Sequence, residues 1–416
     1  MMPLRFFEQL RRRFRVQAWR RRARKKHTAR LRLTDVSGFL EQLEQQGIPA
    51  VVLRWAEEVP TTPFEEAAFS GDVDLLIDGR GLKQAIEIAA GQPGPVKCDL
   101  YTSTGHRGTT YRKMPYYPPV LAERILADRE PHEAGVLVPG TKTQFRSLAY
   151  HLVYHKGLES GIVSGCRLES CSRPSRNYPE LLVKLAGRSG EECEQPITLV
   201  SLHRWLKKRG WDMPVDLLAR WPKQTSWHQW LLEQEVIRLR KWTMRLPGLL
   251  VFLIRDDAIQ LGLADGIREM LSEKFSVLAV EKLTQRQSET VMGRVRGGNW
   301  IEHGKTALVP PREAVVCYDF DPLPVDSART TSRERSSYPL VENANVFHKH
   351  EIRERLNRRR RSGQPRIHGL HGSDTACEAQ HMLEAVFGAR SDSVNSGLAA
   401  LVTRQVLDRS RPRRAG

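Results

Sequence analysis

Residues 71–77 read Gly-Asp-Val-Asp-Leu-Leu-Ile, two acids alternating with apolar residues. Successive side chains of a strand point to opposite faces, so a strand over 72–77 places Asp72 and Asp74 on one face. Two carboxylates that close repel unless cations neutralise them, and a pair of Mg²⁺ ions needs that arrangement. Asp99, between Cys98 and Leu100 on the next predicted strand, supplies a third acid. Three carboxylates from two strands can hold two metals. The plainer alternative is that Asp-x-Asp at a strand end is a solvated edge.

The surrounding pattern is mixed. Val36, Phe39, Leu40 and Leu43 line one face of a helix over 36–46, and 48–55 reads as a strand. A loop carrying Pro60 and Pro63 delivers the chain into the 72–77 strand. A helix over 81–90 and a strand over 96–101 follow. From 144 to about 245 the signals are helical, including 145–156 and 227–245. Pro247 and Gly248 then stop the helix, and strand 249–254, helix 263–274, strand 276–282, helix 286–295 and strand 314–319 alternate. That alternation is what a ferredoxin-like βαββαβ domain shows. The expected class is therefore α/β and α+β multidomain, within the size range of two or three cores for 416 residues. Its parts are a basic arm (1–35), a mixed-sheet domain (36–143), a helical region (144–246), a ferredoxin-like domain (247–390) and a basic tail (391–416).

Charge is concentrated at the start. Residues 1–32 hold thirteen Lys or Arg against the single acid Glu8, a balance of +12 out of +18 for the chain. Such an arm attracts phosphate-rich partners, so nucleic acid and an anionic membrane surface both qualify. Phe7, Leu10 and Phe14 recur at helical spacing, which suits a basic amphipathic helix lying on a membrane; the alternative is a solvated arm. No apolar run follows the arginines as a secretory signal requires, although an Arg-rich start also fits an organelle transit peptide. The apolar stretch 249–254 is far short of the ~20 residues of a membrane span. A cytoplasmic or membrane-peripheral protein is expected. The six cysteines contain no Cys-x-x-Cys pair, so reduced structural thiols are the default, and a metal site on Cys166, Cys171 and Cys193 lacks the usual spacing.

Asp72-x-Asp74 with a separate Asp99 resembles the metal triad of the polymerase-β-type nucleotidyltransferase superfamily, in particular its small bacterial branches. The resemblance covers roughly residues 36–130, and Tyr150-His151-Leu152-Val153-Tyr154-His155-Lys156 is similar to the His-bearing helix that follows the catalytic domain there. It implies that Asp72 and Asp74 bind both Mg²⁺ or Mn²⁺ ions and Asp99 one of them. The implied reaction is attack of an acceptor hydroxyl on the α-phosphorus of an NTP, with pyrophosphate leaving. The family's Gly-Ser pair before the two acids is missing, and Leu53-Arg54-Trp55 stands there, so phosphate binding either falls to Arg54 or is lost. Arg107, Arg112 and Lys113 are either triphosphate partners or solvated surface. His151, His155 and Lys156 fall at i, i+4 and i+5, either as substrate contacts or as structural hydrogen-bonding groups.

Residues 249–388 look like a diverged nucleoside diphosphate kinase. Phe252 to Ile259 is similar to that family's first strand and turn, and His371-Gly372-Ser373-Asp374-Thr375 matches its active-site motif. The resemblance makes His371 the candidate nucleophile, with Ser373 orienting it and Arg255 and Arg353 on the nucleotide phosphates. Departures are Arg255 for the family's Lys, Asp256 for its Pro, His368 for its Asn and Met382 for its Glu. The group His348, His350, His368, His371 and His381 also admits a zinc reading, and Arg296 to Trp300 reads as a turn with a packed tryptophan.

Three functions remain in view. The first is Mg-dependent nucleotidyl transfer to an unknown acceptor, with a kinase-like nucleotide-binding domain. The others are a phosphotransferase centred on His371 and a catalytically inactive nucleotide- or nucleic-acid-binding scaffold.

Overall fold

The computed structural model describes residues 4–60, 69–111, 114–169, 174, 176–219, 221, 225–298, 300, 308–358 and 366–410. Two units emerge: Met1–Met213 with Trp221–His228, and Pro214–Arg220 with Gln229–Gly416. Both are mixtures of helices around small sheets.

The first unit opens with α1 (Leu4–Lys25), β1 (Leu31–Leu33), α2 (Val36–Gln45) and β2 (Ala50–Val52). Asp35 caps α2, its carboxylate accepting from Gly38 N, and Val36, Phe39, Leu40 and Leu43 are buried as the periodicity requires. There follow β3 (Asp72–Ile77), α3 (Leu82–Gly91), β4 (Val96–Thr102) and α4 (Pro119–Ala127). The sheet runs β1-β4-β3-β2, with β3 and β4 parallel and both outer strands antiparallel to their neighbours. Parallel pairing needs a crossover, and α3 supplies it. A hairpin of β5 (Arg129–Pro131) and β6 (Leu137–Pro139) leads into α5 (Thr141–Tyr150), a π-helical turn (His151–Lys156), α6 (Tyr178–Ser189) and α7 (Leu199–Lys208).

The second unit contains α8 (Val215–Ala219), the greater part of α9 (Ser226–Arg245), β7 (Leu249–Arg255), α10 (Asp256–Gln260), α11 (Ala264–Ser272) and β8 (Ser276–Lys282). It continues through α12 (Gln285–Arg294), β9 (Pro311–Tyr318), α13 (Ser332–Ser337), α14 (His348–Arg358), β10 (Leu370–Gly372), α15 (Ala376–Phe387) and α16 (Ser391–Ser410). Its sheet is antiparallel throughout, in the order β10-β7-β9-β8, with apolar clusters on both faces. The central strand β7 is buried at all seven positions, so it needs covering on both sides.

The basic arm falls in the same unit as the β3–β4 sheet, and the helical region is divided, Pro214–Arg220 and the stretch from Gln229 belonging to the second unit. Two expectations change. Residues 391–410 of the expected tail form helix α16, tied to the second core by buried Leu398 and Val402, and 411–416 lie outside the described residues. The strand expected over 48–55 is confined to Ala50–Val52, and Trp55 takes a left-handed conformation (φ 56°) that ends the extended run.

Candidate functional site

The parallel register of β3 and β4 sets Asp74 directly beside Asp99 and Asp72 beside Lys97. The face carrying the three carboxylates continues inward as Leu76 and Tyr101, both buried, so the acids sit where a closed face opens to solvent. Asp99 is 17% exposed, Asp74 23% and Asp72 37%. Burial, with Asp74 and Asp72 nearby, raises the Asp99 carboxyl from its ordinary value, against the lowering effect of Arg30.

Two arginines answer this charge. Arg54, just beyond β2, is almost wholly enclosed and donates from Nη2 to Asp74 Oδ2 at 2.6 Å. Its guanidinium lies 5.3 Å from the centre of the Tyr116 ring. Buried Nη1 makes no hydrogen bond of its own among the described residues, while the neighbouring Tyr117 hydroxyl donates to Ser147 O. Arg30, half exposed, spans the other two acids. Its Nη2 donates to Asp72 Oδ2 at 2.8 Å and its Nε to Asp99 Oδ1 at 2.7 Å. The sequence pattern conceals Arg30 among thirteen basic residues; its signal was the alternation Arg30-Leu31-Arg32-Leu33, which marks β1.

Behind Arg54 lies a buried aromatic wall. Tyr101 and Tyr116 rings stand 4.3 Å apart, and the Tyr116 hydroxyl meets His151 Nδ1 at 2.6 Å. The π-helical turn brings His151 and His155 together, their Nδ1 atoms 3.4 Å apart, with Trp221 stacked on His155. Burial first, then Arg54, His155 and Lys156, push the His151 imidazole well below its usual range, so it is neutral near pH 7. Lys156 lies over the Tyr178 ring at 5.5 Å. These histidines therefore pack and orient Tyr116, a structural role, although π-helical turns often accompany functional sites. Arg107 donates to Arg24 O in the last turn of α1; Arg112 and Lys113 lie outside the described residues.

Three carboxylate donors are the chemistry a hard dication takes, and a guanidinium already lodged between Asp72 and Asp99 marks that position as cationic. As the side chains stand, no group of three or more His, Cys, Asp and Glu among the described residues is spaced to hold a metal ion. Arg30 and Arg54 draw the carboxylates to themselves. An ion pair as exposed as that of Arg30 contributes only about 0–1 kcal/mol, so its side chain can turn aside for a dication.

In the second unit the residues singled out from sequence are used mainly in holding the fold. Arg255 is fully buried, and its guanidinium donates to Val309 O and Trp300 O. Ser373 is fully buried and its hydroxyl accepts from Val251 N. Arg353 Nε donates to Leu370 O at 2.8 Å. Neither Arg255 nor Ser373 is thus open to a nucleotide in this conformation. His371, 8% exposed, lies edge-on to Trp300 with Nε2 4.0 Å from Glu378 Oε1. Lys349, which sequence reasoning missed, is buried against Asp374 and donates to Gly372 O at 3.1 Å. The zinc reading is not supported among the described residues. His348 pairs with Glu351, His350 with Glu334 and His381 with Glu235, so these histidines are spent on separate partners.

No protein-family model matches the chain, and no curated protein is similar to it.

Proposed function

We propose that the β3–β4 face is the centre of a nucleotidyltransferase that uses Mg²⁺ or Mn²⁺ and an NTP, with the acceptor unidentified. The observation that carries this reading is the in-register pair Asp74 and Asp99, with Asp72 two residues along the same face. The sheet order β1-β4-β3-β2 with one parallel pair is compatible with the superfamily that the Asp72-x-Asp74 pattern resembles.

Asp72, Asp74 and Asp99 would hold the dication, which when bound neutralises phosphate charge and aligns the attacking oxygen. Asp99, raised by burial, is placed to accept the proton of an acceptor hydroxyl. Arg54 is pre-organised: Asp74 fixes one nitrogen, its guanidinium carbon lies over the Tyr116 ring, and the buried Nη1 offers a donor to a phosphate oxygen. This takes the place of backbone amides in a Gly-Ser turn. The aromatic wall behind keeps Arg54 from solvating itself, which strengthens its pull on a phosphate.

The second unit is read as a ferredoxin-like, kinase-derived fold without phosphoryl transfer. The antiparallel β10-β7-β9-β8 order supports the fold, and the engagement of Arg255 and Ser373 with backbone supports the loss of chemistry.

The test is pyrophosphate release from each common NTP in the presence of Mn²⁺ and a small-molecule cell extract as acceptor source. Release dependent on Asp99 supports the reading. Acid-labile γ-phosphate label on the protein, lost in His371→Ala, would transfer the chemistry to the second unit.

A further inference from the structure

The outer face of α1 is unlike any surface needed for the chemistry above. One side of the helix is committed to the first unit: Trp19 and Ala23 are buried, Val16 packs on the same core, Arg12 Nε donates to Glu87 O, and Arg15 Nη1 to Ala90 O. At about 100° per residue, Phe7, Leu10 and Phe14 fall within roughly a 60° arc nearly opposite that side. They are 52%, 40% and 66% exposed. The helix carries ten Lys or Arg and one acid, Glu8. Arg11 and Arg13 flank the apolar arc, one on each side, and Arg21 continues it two turns on; all three are exposed.

We propose that this face binds the surface of an anionic lipid bilayer, with Phe7, Leu10 and Phe14 entering among the headgroups and the flanking arginines meeting lipid phosphates. The charge is complementary to such a surface, and large apolar side chains held out to water on a basic helix are what the headgroup boundary takes up. A helix that only tracked nucleic-acid phosphates would gain nothing from Leu10 and would depend on arginines alone. Because the opposite side anchors α1 through buried Trp19, docking requires no refolding of the unit. The inference stands independently of the reaction at Asp72, Asp74 and Asp99.

The experiment is co-sedimentation of the full-length chain with phosphatidylcholine vesicles and with phosphatidylcholine–phosphatidylglycerol vesicles, beside a filter-binding assay with duplex and single-stranded nucleic acid. Variants are Phe7→Gln/Phe14→Gln, which keeps every charge, and Arg11→Gln/Arg13→Gln, which keeps the apolar arc. All four side chains are exposed, so unchanged thermal unfolding confirms that each variant is folded. The expected result is binding to the phosphatidylglycerol vesicles alone, weakened by salt, and reduced about tenfold or more by either pair. The inference is overturned if the wild-type chain does not sediment with anionic vesicles. It is equally overturned if Phe7→Gln/Phe14→Gln sediments as well as the wild type, or if nucleic acid is bound and vesicles are not.

Discussion

Asp74 and Asp99 stand side by side in the parallel pairing of β3 with β4, and each carboxylate already carries a guanidinium, Arg54 on the first and Arg30 on the second. The two arginines differ in depth, and depth decides what each can do. Arg54 is enclosed and stays with its partner; Arg30 reaches in from solvent.

Replacing Asp74 by Asn leaves the buried Arg54 charge without its carboxylate. Breaking a fully buried pair costs about 3–5 kcal/mol, and the partial exposure of Asp74 lowers that to roughly 2–3 kcal/mol. Urea unfolding of Asp74→Asn is expected to show that loss, with Arg54→Met/Asp74→Leu recovering part of it. A variant as stable as the wild type would mean that Arg54 finds another anion.

Removing Arg30 is expected to have the opposite character. Arg30→Gln changes stability by less than about 1 kcal/mol, because the pair it breaks is exposed. It frees Asp72 and Asp99, so Mn²⁺ affinity measured by electron paramagnetic resonance is expected to rise, by up to about fivefold for the roughly 1 kcal/mol of competition relieved. Unchanged affinity would show that Arg30 does not occupy the cation position.

Much of this site is legible in the sequence, for a definite reason. Asp-Val-Asp obeys the two-residue period of a strand, and Asp99 follows one helix later, so a parallel crossover places the acids together. Arg30 is hidden because its own two-residue alternation lies at the end of a basic arm, where composition masks period. The π-helical turn is also invisible, since His151 and His155 have the same spacing in an α-helix; only packing against Tyr116 and Trp221 shows the difference. Helix α16 is missed for a related reason. Its Ser- and Arg-containing composition reads as a tail, and burial of Leu398 and Val402 is a tertiary fact.

Acid should destabilise the first unit through its histidines. Burial foremost, with Lys207 and Arg204 adding to it, pushes His203 down to about 3, and His151 is lowered as well. Both are lowered from about 6.5, so below that pH the unfolded chain takes up protons that the folded chain refuses. Stability is complete above about pH 6.5 and falls as pH drops toward 3, by at most about 1.4 kcal/mol per pH unit for each such histidine. His203→Asn is expected to make the dependence shallower in unfolding measured at successive pH values; an unaltered slope would contradict the assignment.

In the second unit Lys349 and Asp374 form a buried pair beside the His371 motif. Lys349→Met is expected to cost about 3–5 kcal/mol by leaving Asp374 without its cation. Differential scanning calorimetry should show the loss in one transition. A smaller cost in Lys349→Met/Asp374→Leu would separate the lost pair from lost packing, and equal costs would argue that packing alone is at stake.

The most direct measurement is transfer of label from α-³²P NTP to acceptors in a cell metabolite extract, with Mg²⁺ or Mn²⁺, by the wild type and by Asp74→Asn and His371→Ala. Transfer by the wild type and by His371→Ala, reduced about a thousandfold or more in Asp74→Asn, is the expected result. Transfer that survives in Asp74→Asn, or silence from the wild type with every NTP and both metals, would contradict a nucleotidyltransferase centred on the β3–β4 carboxylates.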